Sequence, residues 1–157
     1  MDRNGIDKNS KRTVHFVLYG MTAVSYALST TAAHLCHFPN FVTVDEKGNF
    51  GENKERRTKI TLIAPNIQEE MAYLTAHLNS LFSISKCSVY GKDWVSDEDA
   101  KPWDNKSTME KVGDFLDIEW EFVDGSIADQ KIRSLLQRYY EKKHEGRDLS
   151  HIGLLPT

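Results

Sequence analysis

The chain has 157 residues, enough for one domain with a substantial core and too few for two ordinary ones. Hydrophobic residues make up 39% and charged residues 27%, within the globular range, and a net charge of -3 gives no field that would gather nucleic acid or an anionic membrane. The two cysteines, Cys36 and Cys87, form no C-x-x-C pair and no secreted disulfide framework, so reduced thiols in a cytoplasmic protein are expected.

Residues 1 to 12 are charged and aperiodic and are expected as a flexible lead-in to a single domain over 13 to 157. They lack the apolar core of a signal peptide, and no later run approaches the roughly 18 apolar residues of a membrane span. The first strand is expected at 14 to 19, where Val-His-Phe-Val-Leu-Tyr fits a central strand covered on both faces. It stops at Gly20. From Thr22 to about His37 the pattern predicts a helix with Val24, Leu28, Ala32 and Leu35 on one face and Ala23, Ala27 and Ala33 allowing close approach to a sheet, ended by Pro39.

Residues 40 to 58 read as an insertion with a small hairpin across Lys47-Gly48. A second strand at 59 to 64 is broken by Pro65. Asn66 with Glu69 predicts a capping box for a helix with Ile67, Met71, Leu74, Leu78 and Leu81 on its buried face. Residues 84 to 113 show no sustained period and read either as a functional excursion or as a stretch containing short helices, Ser107 to Val112 being a candidate for one such turn. Trp94 and Trp103 are read there as anchors to the core in preference to contacts for a partner.

The third strand is expected at 117 to 122. Acids and large apolar residues alternate strictly there, which predicts one buried face, one wet face and a place on the sheet edge. Ser126 with Asp129 predicts the start of a helix whose stripe is Ile132, Leu135, Leu136 and Tyr139, with Tyr140 at its rim. A fourth strand is expected at 150 to 155. No helix follows it, so a fragment of a longer protein is expected. The predicted fold class is α/β, a Rossmann-like three-layer fold with a mainly parallel sheet of about four strands in order 3-2-1-4 and two insertions.

Gly20-Met21-Thr22-Ala23 joins a strand to a helix, the place where such folds set a nucleotide phosphate. With this turn, Ile60-Thr61-Leu62-Ile63-Ala64-Pro65-Asn66 and Trp120-Glu121-Phe122-Val123-Asp124-Gly125-Ser126, the order of elements resembles the nucleotide-binding domain of potassium-transport regulators of the Trk or RCK type, among the NAD(P)-binding Rossmann families. It is also similar to uncharacterised bacterial proteins carrying such a domain. The resemblance implies cofactor-binding positions at Gly20, Met21, Thr22, Ala23, Asn66, Gly125 and Ser126.

Departures from the family pattern bear on the ligand. Gly20-x-Thr22-x-x-Ser25 keeps one fingerprint glycine of three, and Asn66 and Gly125-Ser126 stand where the family has acids. Asp45 lies nearer the family spacing for the ribose acid, but no helix pattern follows it. Asn66 brings no charge against a 2′-phosphate, and Arg56, Arg57 and Lys59 lie upstream, so NAD, NADP, a mononucleotide or no cofactor at all remain open. A zinc cluster at His34, Cys36 and His37 and a divalent-metal site among Asp93, Asp97, Glu98, Asp99 and Asp104 are disfavoured. Neither a catalytic constellation nor a metal site is assigned.

The function expected is a nucleotide- or dinucleotide-binding sensing or scaffold domain. The alternatives are the cofactor half of an NAD(P)-dependent oxidoreductase and an interaction module with a degenerate site. A nucleotide ligand is the expected partner, a homodimer is left open, and neither nucleic acid nor membrane is expected.

Overall fold

The apolar run after the lead-in forms strand β1 (Thr13–Tyr19), and helix α1 (Ala23–Leu35) follows the Gly20 turn. The structure, a computed structural model, describes residues 5–103, 112–142 and 149–154. After α1 come a hairpin of β2 (Val42–Val44) and β3 (Phe50–Glu52), then β4 (Thr58–Ala64), α2 (Ile67–Ile84), β5 (Lys86–Tyr90), β6 (Lys101–Pro102), β7 (Ile118–Asp124), α3 (Gln130–Lys142) and β8 (Leu149–Leu154). Strands β5, β7, β4, β1 and β8 lie side by side and parallel, and β6 adds a short antiparallel edge outside β5. The architecture is α/β and consistent with a Rossmann-like fold. No helix among the described residues is long and apolar enough to cross a membrane.

Strand count and order differ from the expected four-stranded 3-2-1-4 sheet. The anticipated strands keep the relative order β7-β4-β1-β8, but β5 and β6 lie outside β7, so β7 is internal and not at the edge. Strand β5 comes from the stretch read as a long loop. It is only five residues long and begins just after α2, so no periodicity had room to develop. The acids of β7 therefore do not share one wet face: Glu121 is 3% exposed.

Alternation along the strands sorts the core into two halves. Leu18, Ile60, Leu62, Ile118, Trp120 and Phe122 pack on one side with residues of α1 and α2, whereas Val17, Ile63, Tyr90 and Val123 pack on the other with Ile132, Leu135 and Tyr139 of α3. Helix α1 corrects the expected stripe. Val24 and Leu35 are exposed, and the buried positions are Ser25, Ser29, Ala32 and Ala33. Small residues at this helical spacing let the helix axis come close to the sheet, which a bulkier stripe would prevent.

Asn66 does not form the expected capping box. Its backbone is left-handed at φ 58°, a conformation asparagine tolerates, and its side chain makes no cap bond; Glu69 N donates instead to the Asn66 carbonyl at 3.0 Å. Ile67, Met71, Leu74 and Phe82 are buried along α2, which departs from helical geometry at Leu78. Before α3, Ser126 N donates to Asp129 Oδ2 at 2.8 Å and Ala128 N to Ser126 Oγ at 3.3 Å, a reciprocal turn that delays the helix until Gln130.

Both insertions have local causes. The hairpin turns on Asp45, whose carboxylate accepts from Lys47 N and Asn49 N, with Gly48 at φ 82°. In the second, Trp94 is buried against the Tyr90 ring at 5.1 Å and donates its indole N–H to the Asp124 carbonyl at 3.2 Å, while Trp103 packs edge-on to Phe82 and Phe122. Both tryptophans anchor the excursion. The turn suggested at Ser107 to Val112 lies outside the described residues except for Val112. Trp94→Ala should cost about 3–5 kcal/mol by opening a cavity and stripping the Asp124 carbonyl of its donor. Urea unfolding checks this, and a loss under about 1 kcal/mol would show that Trp94 does not pin the excursion.

Candidate functional site

The connection leaving β1 runs over one face of the sheet to β4, and the connection reaching β8 runs over the other through α3. Open α/β folds bind ligands beyond the carboxyl ends of the strands where connections diverge in this way. Gly20 begins the turn at that end. Its φ of 74° suits glycine, and its N–H donates to the Ile63 carbonyl at 2.9 Å. Thr22 caps α1, its Oγ1 accepting from Ser25 N at 3.2 Å and lying 3.1 Å from Ser25 Oγ.

A cavity of about 370 Å3 opens beside this turn, lined by Met21, Thr22, Ala23, Tyr26, Glu70 and Tyr73. The tyrosine rings meet edge to face at 5.7 Å. The first turn of α1 holds no acid, and the first N–H groups of a helix have no acceptor within it. Of the residues singled out in the sequence, Met21, Thr22 and Ala23 line the cavity, and Gly20 precedes them in the turn without lining it. Asn66, Gly125 and Ser126 do not line it. Gly125 N donates to the Ala64 carbonyl at 3.2 Å, and Ser126 Oγ lies 3.4 Å from Tyr19 OH, so both belong to the α3 side. Tyr26, Glu70 and Tyr73 were not legible as site residues, because two helices far apart in sequence bring them together.

The basic residues upstream of the second strand do not serve this site. Arg56 donates to the Lys11 carbonyl, Arg57 to the Leu116 and Asp114 carbonyls, and Lys59 pairs with Glu121, all at the opposite end of β4 from Asn66. The His34-Cys36-His37 run diverges: His34 Nδ1 lies 2.7 Å from the Thr30 carbonyl and His37 Nδ1 2.5 Å from Asp117 Oδ1. Burial pushes the Cys36 thiol above its ordinary pKa. In the acidic loop, Asp99 accepts from Ser96 N and Val95 N, which hold its carboxyl below the usual range, and Asp97 pairs with Arg138 at 2.9 Å. Asp104 lies outside the described residues. Among the described residues no group of His, Cys, Asp and Glu is placed to hold a metal ion.

The sequence also hid a second polar centre, beneath α3. Glu121 Oε1 lies 2.7 Å from Lys59 Nζ, and Oε2 accepts from Thr61 Oγ1 at 2.7 Å and from Tyr139 OH. Thr61 Oγ1 also lies 2.7 Å from His15 Nε2. Since the Thr61 hydrogen goes to the carboxylate, His15 Nε2 is the donor in that pair. Burial pushes the Glu121 carboxyl up, but the Lys59 ammonium and the bonds from Lys59, Tyr139 and Thr61 outweigh it, leaving the pKa below its ordinary value. Burial raises the phenol pKa values of Tyr139 and Tyr90, with the Glu121 charge adding to both. Thr61 inside the apolar run of residues 60–64 was the available signal: it lies directly across from Glu121 in the parallel register.

Comparison with protein-family models, with curated proteins and with solved structures finds no match.

A carboxyl with a depressed folded pKa stabilises the protein above its unfolded value of about 4.3, and that stabilisation is lost as pH falls through the folded value. Glu121→Gln should therefore cost about 2–3 kcal/mol at neutral pH, toward the low side for a broken buried pair because Lys59 reaches solvent. The gap from wild type should narrow progressively below about pH 4. Urea midpoints across pH measure both, and a gap that does not change with pH would contradict a paired, ionised Glu121.

Proposed function

We propose that the chain is a nucleotide-binding domain of the sensing or scaffold kind, without catalytic residues of its own. The observation that carries this reading is the cavity between α1 and α2, lined by Met21, Thr22 and Ala23 from the start of α1 and by Glu70 and Tyr73 from α2. A phosphate at the start of α1 meets unpaired N–H groups and the positive end of the helix dipole. Tyr26 and Tyr73 offer aromatic walls to a base, and Glu70 offers the acceptor for ribose hydroxyls that Asn66 does not bring to the cavity.

Size and shape favour a mononucleotide over a dinucleotide. About 370 Å3 is near the small end of ligand pockets. In addition, the branched side chain of Thr22, held by Ser25, stands where a second glycine would let a pyrophosphate approach the backbone. The cavity wall carries one acid and no nucleophile paired with a base, which fits a binding role better than a reaction.

Thermal unfolding with millimolar AMP, ADP, ATP, NAD and NADP tests the assignment. Saturation at about 100 times Kd adds roughly 2.7 kcal/mol, so a mononucleotide should raise Tm by several degrees, and more than NAD or NADP does. Tyr73→Ala, at a half-exposed position, should remove that shift while leaving the unliganded Tm nearly unchanged. An unchanged Tm with every nucleotide, or a shift that survives both Tyr73→Ala and Glu70→Gln, would reject this site.

A further inference from the structure

A second cavity, of about 430 Å3, opens at the other end of the sheet, where β1, β4, β5 and β7 begin. Its wall carries three ammonium groups, Lys54, Lys59 and Lys86, and two carboxylates, Glu55 and Glu119. Arg57 also borders it, but its guanidinium donates to the Leu116 and Asp114 carbonyls at 3.1 and 2.6 Å. We propose that this cavity binds a small phosphate ester that carries free hydroxyl groups.

The case rests on a surplus of donors held in place from behind. Each ammonium has three N–H donors. Lys86 gives one to Glu119 at 2.9 Å and Lys59 one to the buried Glu121 at 2.7 Å, while Lys54 is exposed and pairs with no acid among the described residues. Lys59 and Lys86 thus each keep N–H donors beyond the one given to a carboxylate, and with those of Lys54 these are the donors a ligand here would meet. Lysine meets phosphate as a point charge, and three lysines border this cavity.

Lys59 is not a free surface lysine. Its Nζ is fixed between Glu121 and the face of the Tyr139 ring, 5.5 Å from the ring centre, and Glu121 is in turn fixed by Thr61 and Tyr139. An amine held in this way keeps its direction without loss of side-chain freedom on binding. The carboxylates narrow the choice of ligand. A purely anionic ligand would be repelled by Glu55 and Glu119, whereas hydroxyl groups next to the phosphoryl group could donate to them. Polyol and sugar phosphates have that chemistry, and the volume lies within the range of small-molecule sites.

Isothermal calorimetry on the whole chain tests the site with glycerol 3-phosphate, ribose 5-phosphate, inorganic phosphate and unphosphorylated glucose. The two esters should bind saturably, inorganic phosphate about tenfold more weakly, and glucose not at all. Lys54→Gln and Lys86→Gln should each weaken the esters at least about tenfold without lowering Tm, since both positions reach solvent. Tyr73→Ala should leave ester binding unchanged, which separates this cavity from the nucleotide site. Three results would overturn the proposal: no heat from either ester, ester binding that both lysine variants retain, or ester binding that Tyr73→Ala abolishes.

Discussion

The carboxylate of Glu121 lies on an internal strand, where water cannot solvate it, and the surrounding side chains are arranged to take water's place. Burying such a charge without partners costs several kcal/mol. Lys59 and Thr61 from β4 and Tyr139 from α3 fill both oxygens, and Thr61 passes the chain of hydrogen bonds on to His15 in β1. One ionised group thus ties three strands to the helix that covers them. Loss of any donor leaves an unmet acceptor in the interior, so the register of β1, β4 and β7 and the docking of α3 depend on the same interaction.

The other face of the sheet is built on a different principle. There the contacts are apolar and the fit depends on volume, with Trp120, Phe82 and Phe122 filling the space under α2, and serine and alanine bringing α1 close. The two cavities lie at opposite ends of the strands. Where α1 and α2 begin, their first turns leave a gap walled by tyrosines. Where the strands begin, the row of Lys86, Glu119 and Lys59 meets solvent below α3.

Much of the fold was legible because near-continuous apolar strands and helices with a strong period announce themselves. Val14 to Tyr19, Lys59 to Ala64 and the stripe Ile132, Leu135, Tyr139 are such segments, as is the hairpin turn at Lys47-Gly48. The place of β7 was not legible, since acids alternating with apolar residues look alike on an open edge and beside a hidden neighbour. Only β5, too short to declare itself, distinguishes the two. The Gly20 turn was readable from local chemistry, and Met21, Thr22 and Ala23, which follow it, line a cavity. The aromatic walls and most of the buried Glu121 network arise from pairs more than 40 positions apart, such as Tyr26 with Tyr73 and Thr61 with Glu121, and no local pattern encodes such pairs.

The parallel pairing of β1 also constrains how the chain can fold. On one side β1 joins β4, and on the other it joins β8, with Thr13 opposite Leu149 and Val17 opposite Leu154. The second union waits for nearly the whole described chain to be synthesised, since long-range parallel contacts form only after large loops have closed. Until then one side of Val-His-Phe-Val-Leu-Tyr presents unpaired N–H and C=O groups on an apolar strand, the kind of edge on which nascent chains aggregate. Pairing with β8 is what closes that edge in the folded protein.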